Sequence, residues 1–240
     1  MITPLAQLQS MLHVEYTSID GDQFQVALFE PFTQEEITAL AKLFPQQQLP
    51  GELRELLAFA RGFDFWGIEE ISFSTIAKDY DELFPFALQL AGDDLGNFWL
   101  LDINKDGKLG CVFFVCHDPG VVIKQANDLT EFIFQVHEFG QKMQHSTLNT
   151  VQEIVVYNVW TEHNSLLDHA MAKDSNDVAL REFAAQLPEH FSIGDLRGKP
   201  NQAGFAFGHA EEDPIRHETL YLWGIERKER KGFLQKIFHL

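Results

Sequence analysis

The chain has 240 residues, 45% of them hydrophobic, and a formal net charge of −18 at pH 7. A field of this sign repels nucleic acid and anionic membranes and attracts basic partners, although an acidic surface also simply keeps a protein in solution. No apolar run approaches the roughly 20 residues that a membrane helix needs, and the N-terminus lacks the pattern of a secretory signal. We therefore expect a cytoplasmic protein that binds neither nucleic acid nor membrane.

The first 45 residues predict a short helix, a hairpin and a second helix. Leu5 to Leu12 is amphipathic, and the turn Asp20-Gly21-Asp22 separates two strand-like runs, 13–19 and 23–29. Thr33 is followed three residues later by Glu36, which is the pattern of a capping box and predicts the start of a helix that ends before Pro45.

Residues 49–62, LPGELRELLAFARG, predict another helix. Pro50 lies at its first turn and Gly62 just past its last, where a glycine can adopt the left-handed conformation of a C-cap. An apolar stripe with helical spacing should face the core. Its members are Leu53, Leu56, Leu57 and Ala60.

Three aromatic and β-branched runs follow, at 84–90, 98–103 and 109–115, and they predict the central strands. A short strand at 121–123 then leads into a helix that begins near Asn127 or Asp128.

Residues 102–107, DINKDG, match the opening of an EF-hand calcium loop. Position 12 of that loop needs a bidentate carboxylate and is Phe113 here, so we interpret the segment as a hairpin turn. Cys111 and Cys116 lie five residues apart in one predicted strand, on opposite faces and too distant for a disulfide. Free thiols agree with a reducing compartment.

The order of these features resembles the SUKH superfamily, the Smi/Knr group of cell-wall-regulator-like and bacterial immunity proteins. Leu-Pro, helix and glycine come first, then aromatic strands around an acidic-glycine turn and a closing helix, over about Phe32 to Glu138. The family often has Asn-Gly where this chain has Arg61-Gly62. The pattern and the resemblance together predict an α+β fold, with a mostly antiparallel twisted sheet and helices packed on one face.

Beyond residue 144 the resemblance ends. We expect residues 1–144 to form a SUKH-like α+β domain and residues 145–240 a smaller α+β extension of unknown family. The predicted elements of the extension are a strand or helix at 152–160, helices at 164–172 and 177–187, a loop at 194–202, strands at 204–207 and 218–225, and a basic tail from Arg227.

No pattern points to catalysis, a metal or a cofactor. The histidines are scattered, no Gly-x-Ser-x-Gly occurs, and the apolar surroundings of both cysteines should raise the thiol pKa. Acidic pairs such as Glu69-Glu70 and Glu211-Glu212 are typical of solvated surfaces. We predict a protein that is not an enzyme and has no cofactor, although an enzyme with an unrecognised site stays an alternative.

The resemblance implies a non-catalytic protein-binding module, immunity-protein-like, that occludes a toxin or effector domain. A basic toxin domain is one candidate partner, because residues 1–143 carry 22 acidic and 8 basic side chains. A cytosolic regulatory or scaffold protein with a non-toxin partner is the alternative function. The sequence indicates no oligomeric state.

The predicted partner-binding surface combines an acidic-glycine turn with two tryptophans as anchors. Its residues are Asp93, Asp94, Gly96, Asn97, Trp66 and Trp99. A solvated hairpin turn and a core position for the tryptophans are the alternatives.

Overall fold

A computed structural model describes residues 2–93, 95–162, 165–208 and 213–227, except for the side chain of Glu69. The helices are α1 (Pro4–Gln9), α2 (Gln34–Ala41), α3 (Gly51–Phe59), α4 (Leu129–Lys142), α5 (Thr147–Thr150), α6 (Val156–Glu162), α7 (His169–Lys173) and α8 (Val178–Ala184). Short 3₁₀ turns lie at Pro45–Gln47 and Met143–His145, and a π-helical segment, Val151–Val155, joins α5 to α6.

The strands form four antiparallel sheets and, with the helices, an α+β fold, as predicted. They are β1 (Tyr16–Thr17), β2 (Gln23–Phe24), β3 (Ala27–Leu28), β4 (Gly62–Phe65), β5 (Ile68–Ser72), β6 (Ala87–Gly92), β7 (Phe98–Ile103), β8 (Leu109–His117), β9 (Gly120–Ala126), β10 (Leu166–Asp168), β11 (Phe191–Asp195), β12 (Gly204–Ala206), β13 (Ile215–Arg216) and β14 (Leu222–Glu226).

The central sheet has the strand order β12-β9-β8-β7-β6. The three predicted central strands correspond to β6, β7 and β8, and β7 has the predicted bounds. In the β7–β8 ladder Trp99 faces Phe114 and Leu100 faces Phe113. The two pairs therefore point to opposite faces of the sheet.

Each face of the central sheet is buried, and by different elements. Trp99 and Phe114 lie in a core with Phe132 of α4 and Leu53 of α3. Leu100 and Phe113, on the other face, pack with residues of the C-terminal segment, among them Phe205 and Trp223. The predicted packing of helices on one face is confirmed, and C-terminal strands cover the other.

The C-terminal segment also joins the central sheet at its edge. Strand β12 pairs antiparallel with β9, with Gly204 opposite Ile123. The indole Nε1 of Trp223 donates to the carbonyl oxygen of Leu83 at 2.9 Å. The division of the chain into two units, residues 1–144 and 145–240, stays a prediction.

A buried ion pair adds a polar link between the two segments. Arg216 donates from Nη1 and Nη2 to the two carboxylate oxygens of Asp102, at 2.7 and 2.8 Å, and Asp102 is only 1% exposed. The guanidinium carbon lies 5.2 Å from the ring centroid of Phe84 and 5.3 Å from that of Trp223. One planar cation therefore binds both oxygens of a carboxylate that is shielded from water.

The segment that resembles a calcium loop is the predicted hairpin turn. Asp102 is engaged by Arg216, and Asn104 Oδ1 accepts hydrogen bonds from the backbone N–H groups of Asp106 and Lys108. Gly107 has a φ of +75°, which a glycine adopts without strain.

Local signals at other element ends are also confirmed. Thr33 and Glu36 form a reciprocal capping box on α2, and Asp128 caps α4 by accepting from the N–H of Glu131. The β1–β2 hairpin forms about the predicted turn, with shorter strands. The cysteines are free and lie on opposite faces of β8.

The predicted role of Gly62 is wrong. Helix α3 ends at Phe59, Ala60 is extended, and Gly62 is the first residue of β4, opposite Ser72. A β-carbon at Gly62 would collide with the carbonyl oxygen of Ile71. Glycine is required here for close approach of two strands and not as a left-handed cap.

The predicted helix at 164–172 is corrected in its first half. Leu166–Asp168 form β10, which pairs with β11, and α7 begins only at His169. Pairing with a distant strand outweighs the local helical pattern. The ambiguous run 152–160 is helical, within π-helical and α-helical turns from Val151 to Glu162. Residues 163 and 164 and the tail beyond 227 lie outside the described residues.

The N-terminal hairpin is held to α4 by a partly buried polar contact. The hydroxyl of Tyr16 and Nδ1 of His137 are 2.7 Å apart. Burial raises the pKa of Tyr16 to about 12, so the hydroxyl keeps its proton. Burial also lowers the pKa of His137, which favours the neutral ring.

Removal of the buried cation should destabilise the protein strongly. We expect Arg216→Ala to lower the free energy of unfolding by about 3–5 kcal/mol, because Asp102 would stay buried without a counter-ion. Lys105→Ala is the matched control, since it removes the exposed ion pair with Glu218 and should change little. Urea unfolding of both variants measures the difference, and equal effects would contradict this role for Arg216.

The Tyr16–His137 contact should make stability depend on pH. The unfolded protein protonates this imidazole near its ordinary pKa of 6.5, whereas the folded protein resists protonation until a lower pH. The contribution of the neutral His137 to the free energy of unfolding is therefore fully present above pH 6.5 and decreases as the pH falls below that value. We expect His137→Gln to flatten the pH dependence of urea unfolding between about pH 7 and 5. An unchanged slope in the variant would contradict this assignment.

Candidate protein-binding surface

The β6–β7 turn is built around the side chain of Asp93. Its Oδ1 accepts from the backbone N–H groups of Leu95 and Asn97, at 3.0 and 3.1 Å, and its Oδ2 accepts from the side-chain amide of Asn97 at 2.7 Å. An aspartate that binds backbone groups two and four residues ahead fixes a turn locally. The carboxylate of Asp93 thus shapes the turn from within.

The same turn is tied to the neighbouring β8–β9 turn. Asn97 is buried, and its Oδ1 accepts from the backbone N–H of His117 at 3.1 Å and lies 3.0 Å from Nδ1 of that ring. Gly96 has a φ of +85°, and a β-carbon there would lie 3.4 Å from the His117 ring. The two turns are therefore held as one unit.

C-terminal residues complete this end of the sheet. Gln152 Nε2 lies 3.5 Å from Asp93 Oδ2, and the carbonyl oxygen of Gly120 accepts from the N–H groups of Phe207 and Gly208. We use the term turn-end surface for residues 93, 95–97, 117–120 and 207–208 together with the adjoining helical run 147–162. Contacts to Asp93 and Gly120 place the four pieces side by side.

The turn-end surface presents apolar and acidic groups to solvent. Leu95 is 72% exposed at the tip of the first turn, and Asp118 is exposed in the second. Burial raises the pKa of the Tyr80 hydroxyl, and the negative charges of Asp79 and Asp93 raise it further.

The structure brings three of the predicted binding residues together in one turn. Asp93, Gly96 and Asn97 come together in the turn, while Asp94 lies outside the described residues. Trp66 lies at the β4–β5 turn, 37% exposed, with its ring 6.1 Å from that of Phe24. The ring of Trp66 therefore lies against the N-terminal hairpin, which contains Phe24.

Trp99 is corrected from surface anchor to core residue. It is 2% exposed, its indole Nε1 donates to Gln125 Oε1 at 3.1 Å, and its ring packs against those of Phe114 and Phe132. Trp99 occupies the inner face of β7, next to α4, because residues alternate between the two faces of a strand.

Sequence reasoning missed the exposed apolar residues of the helical run 147–162. Ile154 and Tyr157 are three residues apart and are both exposed. A helical assignment of this run would have revealed the pair, since residues i and i+3 lie on one face. The run is rich in β-branched and aromatic residues, which favour a strand, so the sequence alone does not decide between strand and helix.

No described residues form a group of three or more His, Cys, Asp and Glu side chains placed to hold a metal ion. Burial raises the pKa of both thiols, at Cys111 and Cys116, which disfavours the nucleophilic thiolate. Within the described ranges, no helix is both long and apolar enough to span a bilayer.

Comparison with known families agrees with the resemblance in the sequence. A model of the SMI1 / KNR4 family (SUKH-1) matches residues 31–135, the segment that contains α2 to β9 and the first two turns of α4. The suspected SUKH relationship is confirmed for this segment. No curated protein and no solved structure gave a significant match.

Loss of the Asp93 carboxylate should destabilise the protein. We expect Asp93→Ala to lower the free energy of unfolding by about 1–3 kcal/mol, because two backbone donors and the buried amide of Asn97 lose a charged acceptor. Asp93→Asn keeps Oδ1 and should recover part of the loss, and Asp118→Ala at the exposed second turn is the control. Urea unfolding of the three variants measures this, and equal values for Asp93→Ala and the control would contradict the role.

Proposed function

We propose that the chain is a non-catalytic protein-binding module, immunity-protein-like, which occludes the active cleft of a toxin or effector domain. The observation that carries the proposal is the turn-end surface. Its two turns, residues 93–97 and 117–120, belong to the segment that matches the SMI1 / KNR4 family, and they are fixed by hydrogen bonds before any partner arrives. A preformed surface loses little conformational entropy on binding and can therefore cover a cleft tightly.

Within this proposal the residues of the turn have different roles. Asp93 and Asn97 position the turn, and Gly96 supplies its left-handed backbone. Leu95 offers an exposed aliphatic anchor, and Asp94, with the neighbouring carboxylates, attracts a basic partner. Apolar anchors account for most of the affinity of an interface, while charges at its rim mainly raise the association rate.

The proposal extends to location and organisation. We place the protein in the cytoplasm, in line with its two free thiols. Residues 1–144 would be the binding unit and residues 145–240 an extension that supports it through Gln152 and Phe207. Trp66 would contribute from a second patch.

Two measurements together test the function. The chain and its Leu95→Glu/Asp118→Lys variant serve as baits in native lysate, and any protein captured by the first is purified and assayed for its own activity. We expect stoichiometric addition of the chain to abolish that activity, and the variant to bind at least tenfold more weakly. Both changes are at exposed positions, so urea unfolding should report a nearly unchanged fold.

The outcomes distinguish the candidate functions. A captured protein that stays fully active in the complex would overturn occlusion and favour the regulatory or scaffold function. Inhibition that the variant retains would place the surface away from Leu95 and Asp118.

A further inference from the structure

A surface cavity of about 330 Å³ is lined by residues of α2, of α3 and of the loop that connects them. We name it the α2–α3 pocket. Its volume falls within the range of small-molecule sites, which is about 300–1,000 Å³. Its apolar lining comes from Ile37, which is 4% exposed, and from Ala41. The pocket therefore has the size of a small-ligand site and an apolar part against which a ligand can pack.

Two cations border the α2–α3 pocket, and none of its lining residues is acidic. Lys42, at the C-terminal end of α2, and Arg54, on α3, both line it and are both exposed. Among the described residues, neither forms an ion pair. Neither has an acidic residue three or four positions away in the sequence, where a helical ion pair would form. Two positive charges therefore stand beside one cavity without a carboxylate from the protein.

This local charge is opposite in sign to that of the whole chain, which has 18 basic and 36 acidic residues. In about 0.1 M salt, exposed charges more than about 10 Å apart are largely screened from each other. An anion in the pocket would therefore be attracted mainly by the two adjacent cations. It would also reduce the repulsion between them, because it places an opposite charge near both.

Glutamine side chains add neutral hydrogen-bond donors to the lining. Gln34 of α2 and Gln47 and Gln48 of the loop all border the pocket. The side-chain amides of Gln47 and Gln48 make no hydrogen bond to another described residue, and each has two N–H donors. A carboxylate or phosphate oxygen accepts several hydrogen bonds, so N–H donors beside cations are what an anion needs.

The loop that carries these two glutamines has an unusual backbone. Gln46 and Gln47 have φ angles of +60° and +53°, in the left-handed region that residues other than glycine rarely adopt. The loop packs against the β7–β8 turn, because a β-carbon at Gly107 would lie 3.3 Å from the carbonyl oxygen of Pro45 and 3.8 Å from that of Gln48. Backbone of this kind persists where the surrounding structure requires it, and it is concentrated at ligand-binding sites.

We propose that the α2–α3 pocket is a binding site for a small organic anion, whose carboxylate or phosphate group is held by Lys42 and Arg54. Arginine binds such a group through a planar fork of donors, and lysine adds a mobile point charge. The loop glutamines donate to the remaining oxygens, and the apolar part of the ligand packs against Ile37 and Ala41. The inference goes beyond the proposed function, since none of these residues belongs to the turn-end surface.

Other occupants fit this pocket poorly. A basic segment of a protein partner would meet two like charges at Lys42 and Arg54. A nucleic acid is a long polyanion that would extend beyond the two cations over a protein of net charge −18. A small anion contacts the two cations alone and avoids that repulsion.

Binding of defined probes tests the site. The probes are benzoate, phenyl phosphate and, as a neutral analogue, benzyl alcohol, each added to the isotope-labelled full chain in about 0.1 M NaCl and followed by NMR. We expect both anions to bind saturably, with dissociation constants of about 1 mM or tighter and the largest shifts at backbone amides of residues 34–54. Benzyl alcohol should bind about fivefold more weakly or less. The order of the two anion affinities identifies the preferred head group, and either order supports the site.

Matched variants separate the pocket from bulk charge. We expect Lys42→Gln and Arg54→Gln each to weaken binding of the tighter anion about threefold, the scale of one exposed ionic contact, and the double variant about tenfold. Lys42→Arg keeps the charge and should keep the affinity. Lys78→Gln/Lys173→Gln removes two exposed cations that do not line the pocket, so it should change binding less than about twofold. All four positions are exposed, and urea unfolding should therefore report a nearly unchanged fold.

Three results would overturn the inference: no saturable binding of either anion, equal binding of benzyl alcohol, or equal losses in the two double variants. The second would leave a pocket that recognises only the apolar ring, and the third would leave only the bulk charge of the chain. The Leu95→Glu/Asp118→Lys variant should keep its affinity for the probes, so a failure here is distinguishable from a failure of the occlusion proposed for the turn-end surface.

Discussion

Burial of both faces of the central sheet is the constraint on which the rest of the structure depends. Strands β7 and β8 are apolar at successive positions, so each has side chains that need cover above and below. Helices α1, α3 and α4 supply one cover, and β14 with the loop residues Leu83, Phe84 and Leu196 supplies the other. The matched segment, residues 31–135, thus has an apolar face that residues beyond it must complete.

The ion pair between Asp102 and Arg216 follows from that constraint. Asp102 is the one acidic residue within β7, and the covering strands bury it. A buried carboxylate is tolerated when a cation binds both oxygens, and Arg216 does so from β13. The C-terminal segment also contacts the candidate site, where Gln152 lies beside Asp93 and Phe207 donates to Gly120. On the proposed function, its contribution to binding would be the support of the two turns that the matched segment provides.

Features set by neighbouring residues were predictable from the sequence, and features set by distant residues were not. The Thr33–Glu36 box, the β7–β8 hairpin and the site residues Asp93 and Asn97 as members of one turn depend on local chemistry. The strand role of Gly62 and the core position of Trp99 depend on which strands pair and on what covers the sheet. The continuous apolar runs indicate that both faces are covered, but they do not indicate which strands cover them.

Two exposed hydrophobic anchors on one acidic molecule suggest a division of labour in recognition. The net charge of −18 acts over several ångströms and raises the encounter rate with any basic protein, so it discriminates poorly between partners. As the proposed anchors, Leu95 and Trp66 would act only on contact, and each stands on a turn that is already fixed. On the proposed function, discrimination therefore lies in dissociation: a basic protein without matching pockets would be attracted equally fast and released sooner. Affinity that depends on two anchors at once also requires a partner with the right spacing between its own sites, which charge alone does not impose.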